Sequence, residues 1–439
     1  MKTNFSDAQM NASAIKIAND ILRKCVHCGF CLATCPTYVI LGNELDSPRG
    51  RIYQIRDMLE RDLSRPASKQ SYKEEKTAKH IDRCLSCLSC MTTCPSGVDY
   101  MHLVDHARGV IEKNYTRPLP ERLLRLMLSV VLPNAKLFRL SLVMARLMRP
   151  IAKYMPGRLR VLVEMAPKRI PSQNQVDVPG TTKALGIKKL RVGLMPGCAQ
   201  KTLNPEINAA TVRLLTRLGA DVVVVDGVGC CGALVHHMGM EEKAIIQAKE
   251  NISAWMGEIQ SEGLDAIVIN ASGCGTTVKD YGHMLKDDPD WAASGAKVSS
   301  LARDISEILL EMGTEAIASR VIEINEKPIV AYHSACSMQH GQNLKTQPLE
   351  LLQAAGFSVR EPKEPHLCCG SAGTYNIMQP NLADKLGKRK MENISATKSD
   401  IIATGNIGCM VQLASHGNMP VAHTVQLLDW ATGGPKPVI

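Results

Sequence analysis

The sequence predicts an α + α/β fold: an N-terminal α-helical domain organised by cysteines, then a duplicated α/β domain. Three observations carry this. In the first hundred residues one four-cysteine spacing occurs twice, at Cys25, Cys28, Cys31 and Cys35 and at Cys84, Cys87, Cys90 and Cys94. From Leu190 onward, short apolar runs alternate with helix-like stretches, the pattern of α/β architecture. In that half, Cys198, Cys230 and Cys231 recur 138 residues later as Cys336, Cys368 and Cys369, and Cys274 recurs as Cys409.

A chain of 439 residues, 45% apolar, is long enough for two to four domains that each bury a core. We divide it into residues 1–116, 117–189, 190–325 and 326–439. Apolar residues at helical spacing predict helices over Ala14–Arg23 and Ile52–Leu63. Arg117-Pro-Leu-Pro120 marks a boundary. Leu123–Met148 reads as a helical pair broken at Pro133. Its Leu/Met stripe reads as core or partner contact ahead of membrane anchor. Pro167–Lys189 lacks periodicity and reads as a linker. Beyond it, helices are expected over Ala209–Leu218 and around Leu349–Ala355. Strands are expected over Val222–Val225, Ala266–Ile269 and Asp400–Thr404, in parallel sheets of two similar lobes.

The first motif, Cys-x2-Cys-x2-Cys-x3-Cys-Pro, wraps three thiolates around one face of a 4Fe–4S cubane. Its fourth cysteine, before proline, reaches across to the other cluster. This assigns one cluster to Cys25, Cys28, Cys31 and Cys94, and the other to Cys84, Cys87, Cys90 and Cys35. Soft thiolates suit iron, and structural zinc needs only four cysteines, usually in two separated pairs. The 48 residues between Cys35 and Cys84 are too many for a compact bacterial ferredoxin. They look helical, which points to an α-helical ferredoxin domain.

The second motif places four thiols in each lobe, three of them on loops at strand ends, where α/β sheets gather ligands. Cys198, Cys230, Cys231 and Cys274 form one candidate metal or cluster site; Cys336, Cys368, Cys369 and Cys409 form the other. The glycine after each Cys-Cys pair reads as room for an inorganic core. Gly227-Val-Gly-Cys-Cys-Gly232 also fits a dinucleotide fingerprint. The second lobe keeps Cys-Cys-Gly but not that glycine spacing, so we reject nucleotide binding. His236, His237, His333 and His340 flank the cysteines and read as hydrogen-bond partners rather than ligands.

Net charge is +10, and residues 117–169 hold twelve Lys/Arg against two acids. That segment reads as a solvated basic surface or a docking face for a partner or anionic lipid. Its aromatic residues, Phe138 and Tyr154, are too few for a nucleic-acid stacking platform, so nucleic acid is not an expected partner. Met1–Asp20 is polar, no run of 18 apolar residues occurs, and a cytoplasmic, reduced chain is expected, peripheral on the inner membrane face at most.

The order of the two motifs resembles the iron–sulfur subunits of bacterial glycolate oxidase (glycolate dehydrogenase). The resemblance is carried by Cys25-Val-His-Cys-Gly-Phe-Cys31, Leu45-Asp-Ser-Pro-Arg-Gly-Arg-Ile52, Pro118-Leu-Pro-Glu-Arg122, Gly197-Cys-Ala-Gln200, Ala271-Ser-Gly-Cys-Gly275 and His366-Leu-Cys-Cys-Gly-Ser-Ala-Gly-Thr-Tyr375. It implies partner subunits that carry the flavin and oxidise glycolate to glyoxylate. It also implies that this chain passes the electrons toward a quinone or other membrane acceptor without being catalytic alone. A lactate dehydrogenase complex is the alternative substrate reading. The lobes also resemble heterodisulfide reductase catalytic subunits. There the repeat ends in Cys-x-x-Cys, whereas here it ends in Cys274-Gly-Thr-Thr277 and Cys409-Met-Val-Gln412.

Overall fold

The computed structural model describes residues 1–61, 72–155, 157–167 and 169–438. Its first part is helical. The helix Ser13–Lys24 buries Ile15, Ala18, Ile21 and Leu22 and ends on Arg23 and Lys24, cations suited to a helix C-terminus. It packs on Tyr100–Asn114, whose buried face is Leu103, Val104, Ala107 and Ile111. Between the two cysteine motifs lie helices Pro36–Leu41, Pro48–Leu59 and Tyr72–Asp82. Pro48–Leu59 starts where Ser47 accepts from the Gly50 N–H and Pro48 presets φ. The expected helix Ile52–Leu63 is thus shifted toward the N-terminus, and its last residues lie outside those described.

The basic segment folds as Leu119–Val131 and Ala135–Met148, split near Pro133 as expected, followed by Gly157–Glu164. Leu128 and Leu142 face inward, whereas Leu123, Leu126, Leu140 and Leu147 are more than half exposed. The stripe is therefore largely surface rather than core. No helix among the described residues is long and apolar enough to cross a membrane.

Two sheets follow, parallel except for one edge strand. The first contains β1 (Gly180–Thr182), β2 (Leu190–Met195), β3 (Ala220–Val224), β4 (Ala266–Ile269) and β5 (Ala302–Asp304), in the order β1-β3-β2-β4-β5. The second contains β6 (Val330–Tyr332), β7 (Val359–Arg360), β8 (Ile401–Thr404) and β9 (Val421–His423), in the order β7-β6-β8-β9. The expected linker is corrected here: three of its residues form β1, an exposed edge strand antiparallel to β3. A three-residue strand with no buried face leaves no period-two pattern to read.

The duplication holds at the level of register. Leu194 pairs with Val268 in the first sheet, and Tyr332 with Ala403 in the second. The lobes share one apolar core in which Leu214 and Leu215 of the first meet Leu351 and Leu428 of the second. Across the same seam, buried Asp429 pairs with Arg213 and Arg217 at 2.7 and 3.0 Å.

Candidate metal centres

The two Cys-x2-Cys-x2-Cys loops have the same unusual backbone. His27 and Gly29 in the first, and Ser86 and Leu88 in the second, take positive φ between 49° and 85°. Alternating left-handed residues turn successive N–H groups inward, a concavity suited to anionic sulfur cores. Only Gly29 adopts this conformation freely. At Leu88 it costs about 1–2 kcal/mol, which the loop sustains for a geometric reason.

Two adjoining clefts result. Cys25, Cys28, Cys31 and Cys94 line one, together with Cys90. Cys35, Cys84, Cys87 and Cys90 line the next, with Arg51 and Tyr100. The structure thus brings Cys94 to the first triplet and Cys35 to the second, as crossed ligation requires. The first cleft reaches the surface: Cys28 is exposed, flanked by Val26 and Phe30, both more than 60% exposed. The second is interior, and burial, then neighbouring thiols, push Cys87 and Cys90 well above the ordinary thiol range. Soft cations that convert thiols to thiolates remove that cost. The donor set fits iron–sulfur clusters.

The ferredoxin-type domain is fixed by a buried charge centre. Asp46 accepts from His80 Nδ1 at 2.9 Å and from Arg83 Nη1 at 3.0 Å, with Arg51 Nη2 at 3.7 Å. Its carbonyl accepts from Thr37 Oγ1 at 2.7 Å and lies 3.7 Å from Cys35 Sγ. Asp46 and Arg51 are 0% and 1% exposed. Sequence reading missed this centre, because its members are scattered over residues 37–83 and no motif spaces them.

In the first lobe Cys198 Sγ lies 3.6 Å from Cys230 Sγ. Cys231 neighbours both Cys230 and Cys274; the Cys230 thiol draws it down, but the Cys274 thiol and burial hold it well above its usual range. In the second lobe Cys336 Sγ lies 3.7 Å from Cys368 Sγ. The ligand atoms of Cys369, Cys409 and His333 fall within 4.8 Å of one another. Cys274 and Cys409 are the third residues of helices Ser272–Lys279 and Ile407–Ala414, so both stand in a first helical turn. Each quartet is therefore gathered rather than scattered.

The loops of the two sites touch. Ser272 Oγ bonds Ser337 Oγ at 2.7 Å and accepts from Asn406 Nδ2 at 2.9 Å. The second site also abuts the ferredoxin-type domain. Cys87 shares an apolar cluster with Cys336, Cys368, Tyr375 and Leu382, and Tyr375 Oη donates to Arg83 O at 3.1 Å.

The Cys-Cys-Gly glycines have a different reason from the one expected. Gly232 and Gly370 have φ of 87° and 93°, and a Cβ there would meet backbone oxygens of Ala244 at 3.1 Å and Ala383 at 2.7 Å. They admit a following helix. Of the flanking histidines, His340 bonds Thr92 Oγ1 at 2.7 Å and the His366 carbonyl at 3.2 Å, as a partner should. His236 and His237 each stand 3.9 Å from Asp105, on the ferredoxin-type side of the first lobe. His333 has no hydrogen-bond partner at either ring nitrogen.

Comparison with known proteins agrees with this division. Residues 21–98 match the 4Fe-4S dicluster domain model, and residues 192–279 and 330–414 each match the cysteine-rich domain model. The chain is 41% identical to the glycolate oxidase iron-sulfur subunit of Escherichia coli (strain K12), covering 98% of this chain and 99% of that one. The chain belongs to the family of glycolate oxidase iron–sulfur subunits. A probable glycolate oxidase iron-sulfur subunit of Bacillus subtilis (strain 168) is 30% identical, with 94% of each chain covered. Lactate utilization protein A of Oceanobacillus iheyensis is more distant, 25% identical over 55% of this chain and 97% of its own. Within the glycolate oxidase family, the two domain matches account for all sixteen cysteines described above.

Proposed function

We propose that this chain is the electron-transfer subunit of a glycolate-oxidising complex. Partner subunits carry the flavin, and this chain conducts electrons from them toward a membrane quinone. The observation that carries the reading is a continuous row of thiol sites. It runs from exposed Cys28, through two clefts sharing Cys90, to the second-lobe cysteines packed on Cys87. We assign one 4Fe–4S cluster to Cys25, Cys28, Cys31 and Cys94 and a second to Cys84, Cys87, Cys90 and Cys35. Further metal or cluster sites are assigned to Cys198, Cys230, Cys231 and Cys274 and to Cys336, Cys368, Cys369 and Cys409. Such clusters take one electron each, whereas converting glycolate to glyoxylate releases a hydride equivalent, which belongs to flavin. Val26 and Phe30 make the exposed edge a docking point for a redox partner.

The test is to purify the chain anaerobically with and without its co-expressed flavoprotein. Glycolate should reduce the clusters in the complex within turnover time and leave those of the isolated chain oxidised. Glycolate turnover by the isolated, flavin-free chain with an artificial acceptor would defeat the proposal. Faster reduction by lactate than by glycolate in the complex would select the alternative substrate.

We further assign the basic helices to an anionic membrane surface, on the cytoplasmic side. Leu123, Leu140 and Leu147 stand exposed among Arg122, Arg139 and Arg146, the mixture that interfacial helices use. The chain should co-sediment with vesicles containing anionic phospholipid and not with purely zwitterionic ones. Leu140→Glu with Leu147→Glu should release it, with iron content unchanged. Equal binding by the double variant would place the contact elsewhere.

A further inference from the structure

The two lobes share four cysteines each, but they do not share the residue that ends the central strand. Tyr332 pairs with Ala403 as Leu194 pairs with Val268, so His333 occupies the position that Met195 holds in the first lobe. Met195 packs into apolar core at 2% exposure. His333 is 1% exposed, yet neither ring nitrogen has a hydrogen-bond partner. Burying a polar ring without partners is costly, and native structures rarely accept it. The other two histidines buried as deeply are satisfied. His80 meets Asp46, and His423 meets the Asn270 carbonyl at 2.9 Å and the Val425 N–H at 3.2 Å.

The ring of His333 is directed at the cysteines. One of its nitrogens, Cys369 Sγ and Cys409 Sγ all lie within 4.8 Å of one another. The backbone fixes the ring's origin, because the His333 N–H donates to the Ala403 carbonyl at 2.8 Å at the end of β6. Neutral imidazole is a borderline-soft donor that joins thiolates on iron.

We propose that His333 is a ligand of the second-lobe centre, binding iron through an imidazole nitrogen beside Cys369 and Cys409. The two lobes are then chemically different. The first offers thiolates alone, and the second offers thiolates plus one neutral nitrogen. The imidazole adds a donor without adding negative charge, so exchanging it for a thiolate would lower the reduction potential of that centre. The centre lies against Cys87 of the ferredoxin-type domain. The inference rests on the reading that the second-lobe cysteines hold iron.

The experiment uses full-length holoprotein prepared anaerobically with 57Fe and 15N-labelled histidine. Mössbauer spectra count iron in every spin state, and pulsed EPR of the reduced protein reads nitrogen bound to iron. The expected result is iron beyond the two ferredoxin clusters, with a directly bound histidine nitrogen. His333→Met, which copies the first lobe, should abolish the nitrogen coupling. His333→Cys should abolish it too, while retaining the iron and lowering the potential of that centre. Extra iron without a bound histidine nitrogen, or a coupling that survives in His333→Cys, overturns the ligand assignment alone. No iron beyond the ferredoxin clusters, or zinc in its place, overturns the iron reading of the lobe and the ligand assignment with it.

Discussion

Cys94→Ser should strip or convert the cluster bound by Cys25, Cys28 and Cys31, although Cys94 sits in the other motif, next to Cys90. Iron should fall from about eight atoms toward four in the ferredoxin-type domain, with the second cluster retained. The physical reason is the position of the two cysteines that precede proline. The turn after Cys90 carries Cys94 out of the Cys84–Cys87 cleft and into the one that Cys25, Cys28 and Cys31 line. Cys35 makes the reverse crossing, held by Thr37 Oγ1 at 3.3 Å. The reciprocal variant, Cys35→Ser, should strip the cluster of Cys84, Cys87 and Cys90. Low-temperature EPR and iron analysis of both variants read the result. If each serine emptied the cleft of its own motif, ligation would be uncrossed and the relay would need redrawing.

Spacing made the eight ferredoxin-type cysteines legible, because a cubane accepts few chain geometries and the same one appears twice. The duplicated lobes were legible for a related reason. A constant offset of cysteines can be counted in a sequence without any knowledge of contacts. What spacing could not supply is anything decided by packing. The edge strand Gly180–Thr182 has no buried face, so no hydrophobic period announces it. Gly232 and Gly370 were read as room for a cluster, but what approaches them is the backbone of a following helix. The Leu/Met stripe of residues 123–148 has the same pattern whether it meets core, protein or lipid, and only the fold shows that it faces outward. His333 looked like its neighbours His236, His237 and His340. Its difference is the absence of any partner at complete burial, which no sequence displays.

The Asp46 centre is the strongest case of long-range packing, and it carries the largest expected loss of stability. Its carboxylate is the partner of three cationic or ionisable side chains, of which Arg51 is as deeply buried as Asp46 itself. Asp46→Ala leaves the Arg51 guanidinium buried without its carboxylate, on the His80 carbonyl at 2.8 Å and Thr37 Oγ1 at 3.0 Å. Removing one member of a buried ion pair costs about 3–5 kcal/mol, because the remaining charge is uncompensated. The loss should fall on the cluster proposed for Cys84, Cys87, Cys90 and Cys35, since Arg51 Nη1 also lies 3.9 Å from Cys35 Sγ. Anaerobic denaturant titration, followed by cluster absorbance, should show Asp46→Ala releasing iron at much lower denaturant than wild type. Asp46→Asn, which keeps the shape and one acceptor oxygen, should fall between them. Glu44→Gln is the control. It removes the charge from the Glu44–Arg49 pair, 43% and 30% exposed, while keeping an acceptor oxygen for Ser47, and a surface pair of that kind is worth at most about 1 kcal/mol. If Asp46→Ala shifted the midpoint no more than Glu44→Gln, the buried charge centre would be a passive feature. The cysteine loops alone would then hold the ferredoxin-type domain together.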